Sequence, residues 1–243
     1  MMKQFTLVYG DARIPYRVVD DPTRASRVAI HVDPDGSVTV DAPVGFPDEA
    51  VQKAVQKRAR WITTHVAEAN HRHAQVRPRE YISGEQVLYL GRRYMLKVVP
   101  TDQPTKLVRL RGNKLEVQTK SGNVDEIRGR VRAWYRTKAR DYFAHRLTNL
   151  SNALPWINEV PRFRLLEMSR QWGSCAPTGQ IILNPHLVKT PRQCVDYVIV
   201  HELAHHRHHD HSHEFFRLLD TTVPNWREHK LVLDGMVEVV MNE

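Results

Sequence analysis

The sequence has 243 residues, of which 36 are Lys or Arg and 27 are Asp or Glu, so its formal net charge is +9. A hydrophobic content of 41% is typical of a globular protein and excludes a disordered chain. Two cysteines exclude a disulfide framework, and no window holds the roughly 18 consecutive apolar residues of a membrane helix. The start also lacks the apolar core of a signal peptide, so we expect a cytoplasmic protein with no membrane partner.

Short strand-like segments and one amphipathic helix fill the first half of the chain. Residues 33–36 form a turn signal between two alternating segments and predict a β-hairpin. Apolar residues at helical spacing over 47–66 predict a helix of about five turns. A polar connector covers 70–80, and glycine-containing joins within 86–99 and 106–119 predict two further hairpins.

Longer helices dominate the second half. Apolar residues repeat at a helical period over 124–150, which predicts a long helix. The predicted elements after it are two strands, over 163–168 and 180–184, and three helices, which begin near Pro191, at His213 and after Pro224.

The first of those three helices carries the sequence His201-Glu202-Leu203-Ala204-His205. A separation of four residues places both imidazoles on one side of the helix, so that two nitrogens can bind one ion. Zinc suits imidazole ligands, and it lowers the pKa of a bound water from about 15.7 to about 7. Glu202 lies beside the histidines, where its carboxylate can take a proton from that water.

A catalytic zinc site needs a third protein ligand, and four histidines downstream are candidates. If the helix simply continued, His209 would lie about 12 Å along the axis from His201, which is too far for a tetrahedral site. The chain must therefore turn back, and Asp210 and Ser212 are residue types that end one helix and cap the next. We select His211, which lies between them, as the third ligand. Solvated or supporting roles are expected for the others: His206, His208, His209 and His213.

The stretch from 171 to 234 resembles the YgjP-like metallopeptidase family, whose relatives are the SprT-like and WLM zincins. The matching residues are W-G-S-C at 172–175, Leu183-Asn184, Tyr197-Val198, the H-E-L-A-H core, a histidine ten residues after the first, and P-x-W at 224–226. The chain departs from the family's pattern at Gln171, where Arg is usual, and the adjacent Arg170 is the candidate replacement. The resemblance covers most of the chain, because similar features also occur upstream: the hairpin with Asp35-Gly36, Arg60-Trp61-Ile62, Ser83-Gly84-Glu85 with Leu90-Gly91, and the helix with Trp134-Tyr135.

The resemblance implies a zincin-type domain in which His201, His205 and His211 bind zinc and Glu202 is the general base. We therefore predict an α+β protein in which a β-rich N-terminal region with long helices, residues 1–120, precedes a zincin-like metallohydrolase domain. That domain covers 121–243 and combines an active-site helix with a small antiparallel sheet.

Substrate-binding candidates lie just upstream, at Trp172, Gly173 and Ser174. A strand beside the metal helix can pair with any extended peptide, because main-chain hydrogen bonding is independent of sequence, and Gly173 lets a second backbone approach. Alternatively, Trp172 belongs to the core and Cys175 is a small buried thiol. Asn184 is predicted to cap a helix.

Most of the positive charge lies before residue 161, outside the part of the sequence that carries the metal motif. Residues 161–243 contain 9 basic and 10 acidic side chains, whereas residues 101–160 contain 12 and 6. One face of the predicted 124–150 helix is rich in arginine; it either follows a phosphate backbone or is an ordinary solvated face. Any nucleic acid or nucleotide would bind through the basic N-terminal region and this helix, in which the polyanion-binding candidates are Arg128, Arg132, Arg136 and Arg140.

The leading hypothesis is a zinc-dependent hydrolase with one Zn²⁺ per chain, a metallopeptidase that cuts a protein or peptide with zinc-activated water. One alternative keeps the metal and hydrolyses the phosphoanhydride of a nucleotide, whose phosphates the upstream arginines would hold. The other is a nucleic-acid-associated zinc protein that acts on DNA-bound partners.

Overall fold

The computed structural model describes residues 3–22, 24–32, 36–75, 79–103, 107–168 and 171–236. Within these ranges the chain is an α+β protein with six α-helices, one short 3-10 helix and eleven strands. No helix in the described ranges is both long and apolar enough to cross a membrane.

The chain divides into two compact units, residues 1–77 and 78–243. The division between residues 77 and 78 falls within the polar connector predicted over 70–80. The two regions predicted from the sequence, 1–120 and 121–243, meet at a different place. The strands between 86 and 119 therefore belong to the same unit as the metal motif, because their apolar side chains share a core with the helix that follows them.

The first unit pairs a mixed four-stranded sheet with two helices. Its elements are β1 (Lys3–Tyr9), β2 (Ala12–Asp20), β3 (Ala29–Val32), β4 (Val38–Ala42), α1 (Asp48–Lys57) and α2 (Ala59–Gln75). The strand order is β1-β2-β4-β3, and β3 pairs antiparallel with β4, as the predicted hairpin requires. Residues 33–35 of its predicted turn lie outside the described residues.

The single helix predicted over 47–66 is two helices. α1 ends at Lys57, and the amide of Arg58 donates to the carbonyl of Val55. The apolar face continues across the break, since Val55 and Ile62 are both buried in the core of this unit. The sequence therefore predicted the buried face correctly but not the interruption.

The second unit begins with a four-stranded sheet. Its strands are β5 (Gln86–Tyr89), β6 (Arg92–Pro100), β7 (Val108–Arg111) and β8 (Lys114–Thr119), in the order β5-β6-β8-β7. Both predicted hairpins are confirmed, because β5 pairs antiparallel with β6 and β7 pairs antiparallel with β8. β6 and β8, which join the hairpins, run parallel.

The long helix α3 (Val124–Ala153) covers one face of this sheet. The side chain of Asn123 caps its start by accepting hydrogen bonds from the amides of Asp125 and Glu126, at 2.7 and 3.4 Å. Ile127 and Val131 share one core with Leu115 and Val117 of β8 and with the helices downstream. α3 thus connects the strands to the site-bearing part of the unit.

A second, three-stranded sheet lies farther along the chain. Its strands are β9 (Phe163–Leu165), β10 (Gly173–Cys175) and β11 (Ile181–Leu183), in the order β10-β11-β9. β10 is antiparallel to β11, but β9 is parallel to it, so the sheet is mixed and not antiparallel as predicted. The reason is the path of the chain, which passes from β9 to the far edge before it returns through the centre.

Three helices complete the fold: α4 (Arg192–Ala204), α5 (His213–Thr222) and α6 (Trp226–Asp234). α4 contacts α3, β10, α5 and α6. Its residues Val195, Ile199 and Leu203 are fully buried. The helix with the metal motif is thus also the centre of the core.

Candidate metal centre

The helix that carries the metal motif ends within that motif, so the chain turns soon after it, as expected. α4 stops at Ala204, and the amides of His206, Arg207 and His208 fold back onto the carbonyls of Leu203 and Ala204. The chain can therefore reverse before α5 begins, which is what the distance limit for a third ligand demands.

Three imidazoles converge at this turn. The ligand nitrogens of His201, His205 and His211 all lie within 4.8 Å of one another, and Nε2 of His211 is 3.0 Å from Nε2 of His201. A tetrahedral zinc ion with bonds of about 2.0–2.1 Å holds its ligand nitrogens about 3.3 Å apart. The spacing fits one ion, and no other such group of His, Cys, Asp or Glu occurs in the described part of the chain.

The second nitrogen of His205 determines which atom faces the metal position. Nδ1 of His205 lies 3.1 Å from the backbone carbonyl of His208. Because a carbonyl can only accept, Nδ1 carries the hydrogen and Nε2 keeps its lone pair for a ligand. His208, predicted to be supporting or solvated, thus orients a neighbouring imidazole through its backbone. Nδ1 of His201 is buried and has no hydrogen-bond partner within the described ranges.

Burial favours the neutral form of all three imidazoles. Burial, followed by the nearby His211 and His205, lowers the pKa of His201 to about 3. Burial also lowers the pKa values of His205 and His211. Neutral imidazole is the form that binds a metal, so a three-imidazole donor set of this kind suits zinc.

Phe215 of α5 forms the floor of the site, and sequence reasoning missed it. Its ring centroid lies 5.0, 4.7 and 4.8 Å from those of His201, His205 and His211. Phe215 is fully buried, and it keeps water from the back of all three imidazoles. Its position four residues after His211 on an amphipathic helix is the signal that could have identified it.

Glu202 lies directly against the edge strand. Its side chain is only 5% exposed, and burial raises its pKa to about 8. A Cβ atom built on Gly173 would lie 2.7 Å from Oε1 and 3.0 Å from Cδ of Glu202. The missing side chain of Gly173 therefore makes the space that this carboxylate occupies. A metal cation bound beside Glu202 would favour its ionised form.

β10 is an edge strand next to this carboxylate. It pairs with β11 on one side, with Gly173 opposite Leu183, and no strand among the described residues pairs with its other side. Trp172, Gly173 and Ser174 are each partly exposed. Trp172 also packs against the main core, as the alternative interpretation of this residue predicts.

Cys175, the last residue of β10, is partly buried and is not one of the converging ligands. Burial, and to a smaller extent the nearby Glu202, raises the pKa of its thiol. A thiol with a raised pKa is a poor nucleophile and a poor metal ligand, so Cys175 has the character of a small buried side chain.

Asn184 holds the loop that leads into β10. As predicted, it caps a helix: its side chain accepts from the amide of His186, at the start of the 3-10 helix Pro185–Lys189. The same side chain donates to the carbonyls of Met168 and Gln171, at 2.7 and 3.1 Å. Gln171, the departure from the family pattern, is an exposed residue in this loop, and Arg170 lies outside the described residues.

A cavity of about 880 Å³ opens beyond the turn between β10 and β11. His206, which follows His205 in sequence, forms part of its wall. Gly179 belongs to the same wall, and a Cβ there would be 3.1 Å from the ring of His206. The rest of the wall consists of the segment 156–162, which leads into β9, together with Thr178 and Gln180.

The four arginines proposed to bind polyanions do not share a common partner within the protein. Three of them contact acceptors of the protein itself: Arg128 with Asp125 at 2.8 Å, Arg132 with Glu167 at 2.7 Å, and Arg136 with the carbonyl of Leu165 at 3.5 Å. Arg140 is exposed. Contacts of this kind give the helix face the character of an ordinary, internally paired protein surface.

The family described as "YgjP-like, metallopeptidase domain" matches residues 26–236. No curated protein and no solved structure matches the chain. The matched range includes β10, the three converging histidines and Glu202.

Proposed function

Because the chain belongs to the YgjP-like metallopeptidase family, we propose that it is a zinc-dependent peptidase with Glu202 as its general base. The observation that carries this proposal is the convergence of three imidazoles at the end of α4, the helix that also holds the buried Glu202. Catalytic zinc sites combine three protein ligands with one open position, and a carboxylate next in sequence to a histidine ligand is placed to act on water there.

His201, His205 and His211 would hold one zinc ion per chain. Zinc, when bound, supplies a Lewis acid that acidifies water and polarises a carbonyl oxygen. The protein would fix the positions of the three ligand nitrogens. The carbonyl of His208 orients His205, and all three rings contact Phe215.

Glu202 would transfer a proton during hydrolysis. Its carboxylate takes a proton from the attacking water and delivers it to the leaving amine. Packing against the backbone of Gly173 restricts its side-chain rotamer, so that the carboxylate stays next to β10, the strand that contacts α4. Correct placement matters as much as basicity, because a misplacement of about 1 Å can cost about a hundredfold in rate.

The free side of β10 would bind the substrate. A peptide in an extended conformation can add to this edge through main-chain hydrogen bonds, which explains how the site could accept different sequences. Gly173 lies at the end of β10 next to Glu202, and the strand runs from there toward the turn that borders the 880 Å³ cavity. Substrate residues away from the scissile bond would reach that cavity.

A substrate panel separates this function from its alternatives. The zinc-loaded protein is incubated with an unfolded protein, with nucleoside triphosphates and with single-stranded DNA. We expect cleavage of the unfolded protein alone, its loss after treatment with a chelator, and its recovery when zinc is added back. Release of phosphate or pyrophosphate, with no peptide cleavage, would instead assign the site to a nucleotide hydrolase.

The replacement Gly173→Ala tests the position of the general base. The new methyl group would overlap Oε1, Cγ and Cδ of Glu202, so the buried carboxylate must shift, whereas the three converging imidazoles are not in its way and should still bind zinc. We expect kcat to fall by about a hundredfold, since the carboxylate is displaced. Activity is measured on the peptide substrate and zinc by elemental analysis.

Gly129→Ala in α3 is the matched control, because a Cβ there meets no atom within 4 Å. This variant should keep full activity and gain about 0.5–1 kcal/mol of stability, as Ala replaces Gly inside a helix. Unchanged activity in Gly173→Ala would show that the contact with Glu202 has no part in catalysis.

A further inference from the structure

The four-stranded sheet of the second unit has one face turned away from α3. The inner positions, which include Leu96, Leu115 and Val117, are buried in the core beneath α3. Side chains alternate along a strand, so the residues between them point to the other face. The register aligns these outward positions across the strands, with Lys97 opposite Glu116 and Glu116 opposite Arg109.

The outward positions of this sheet are strongly basic. The four strands together contain six basic residues, and Glu116 is their only acidic residue. Five of the basic residues share the outward face, which we call the basic sheet face: Arg93, Lys97, Arg109, Arg111 and Lys114.

Glu116 neutralises only the centre of this face. Nε of Arg109 donates to its carboxylate at 2.9 Å, and Nζ of Lys97 lies at 4.0 Å. The hydrogen bond from Arg109, with the charges of Arg109, Arg111 and Lys97, lowers the pKa of Glu116. One carboxylate among five cations leaves a large positive excess on the face.

The remaining cations include a like-charge pair. Arg111 and Lys114 lie directly opposite each other on β7 and β8, and both are exposed. Like charges in this relation destabilise a sheet. An arrangement that costs local stability is typical of a binding surface, and an anion placed over the pair would remove the repulsion.

We propose that the basic sheet face binds the phosphate backbone of double-stranded nucleic acid. The outward positions of these four strands carry no aromatic side chain, because Tyr89 packs on Trp134 of α3 and Tyr94 belongs to the core side. Bases of a single strand would therefore find no stacking platform, whereas a duplex is bound through its phosphates alone. Met95 is the one apolar side chain of these strands with large exposure, which is too little for insertion into a lipid surface.

Two triple variants of the full-length, zinc-loaded protein test this proposal. Arg93→Gln, Arg111→Gln and Lys114→Gln together remove three charges from the basic sheet face and leave the contacts of Glu116 intact. Arg128→Gln, Arg132→Gln and Arg136→Gln remove the same number from α3 and serve as the control. Binding to a fluorescent 24-base-pair DNA duplex is measured by anisotropy between 50 and 200 mM NaCl.

We expect the sheet variant to lose at least tenfold in affinity at 50 mM NaCl and the control variant less than twofold. The slope of log K against log salt should fall in magnitude by about 2.7 in the sheet variant, because each phosphate contact contributes about 0.9. Peptide cleavage should be unchanged in both variants, so the outcome is independent of the proposed peptidase function.

Three outcomes would overturn the proposal: no duplex binding by the unaltered protein, equal losses in both triple variants, or equal competition by a polyglutamate of the same total charge. The last would identify an acidic polypeptide as the partner. Binding to vesicles with 30% phosphatidylserine but not to the duplex would assign the face to a membrane surface.

Discussion

Replacement of Glu202 by Gln is expected to abolish hydrolysis while zinc remains bound. The amide has nearly the same shape as the carboxylate and fits the same space beside Gly173, so the metal site should keep its geometry. What it loses is the ability to accept a proton, and general acid–base groups contribute about 10²–10⁴-fold to rate. We expect kcat on a peptide substrate to fall by about a thousandfold, with zinc content unchanged by elemental analysis.

A matched control is Glu214→Gln on the exposed side of α5, which should keep full activity. Retained hydrolysis in Glu202→Gln would remove Glu202 from the mechanism, whatever the metal content. Loss of zinc together with activity would mean that this carboxylate supports the metal site and is not solely a base.

Replacement of any converging histidine by Ala is expected to have the second large effect. Each removes one of three nitrogens that lie within 4.8 Å of one another, and two imidazoles hold zinc far more weakly than three. Zinc content after dialysis should fall from about one ion per chain to near zero, and turnover should disappear with it. His201, His205 and His211 are tested separately.

His209→Ala provides the comparison, because this exposed histidine lies in the same turn but outside the converging group. It should retain both zinc and activity. Full zinc occupancy without His211 would exclude His211 as a ligand, and zinc loss in His209→Ala would show that the turn itself controls binding.

Local sequence signals predicted the elements around the metal centre well. The helix predicted to begin at His213 is α5, and Asn184 caps the 3-10 helix as expected. His211 was selected because a straight helix could not bring a third imidazole within reach, and the structure places it 3.0 Å from His201. Spacing and cap residues act over a few positions, so one sequence is enough to interpret them.

Contacts between distant segments could not be predicted in the same way. The role of Gly173 depends on β10 lying against α4, which sets a strand residue beside a helix carboxylate about 30 positions later. The floor formed by Phe215 depends on how α5 folds back beneath the histidines. The basic sheet face appears only when the register of β7 and β8 is known. Alternation gives each strand two faces but does not say which strands are neighbours.

α4 contributes residues both to the candidate site and to the hydrophobic core. The same helix carries His201 and Glu202, is followed directly by His205, and also buries Val195, Ile199 and Leu203 at the centre of the unit. A large-to-small change in such a core costs about 2–5 kcal/mol, which is a large part of a domain's total stability. Evolution therefore has little freedom inside this helix. New substrate preferences would have to arise at the rim, in the 156–162 segment and along β10, where side chains can vary without loosening the catalytic framework.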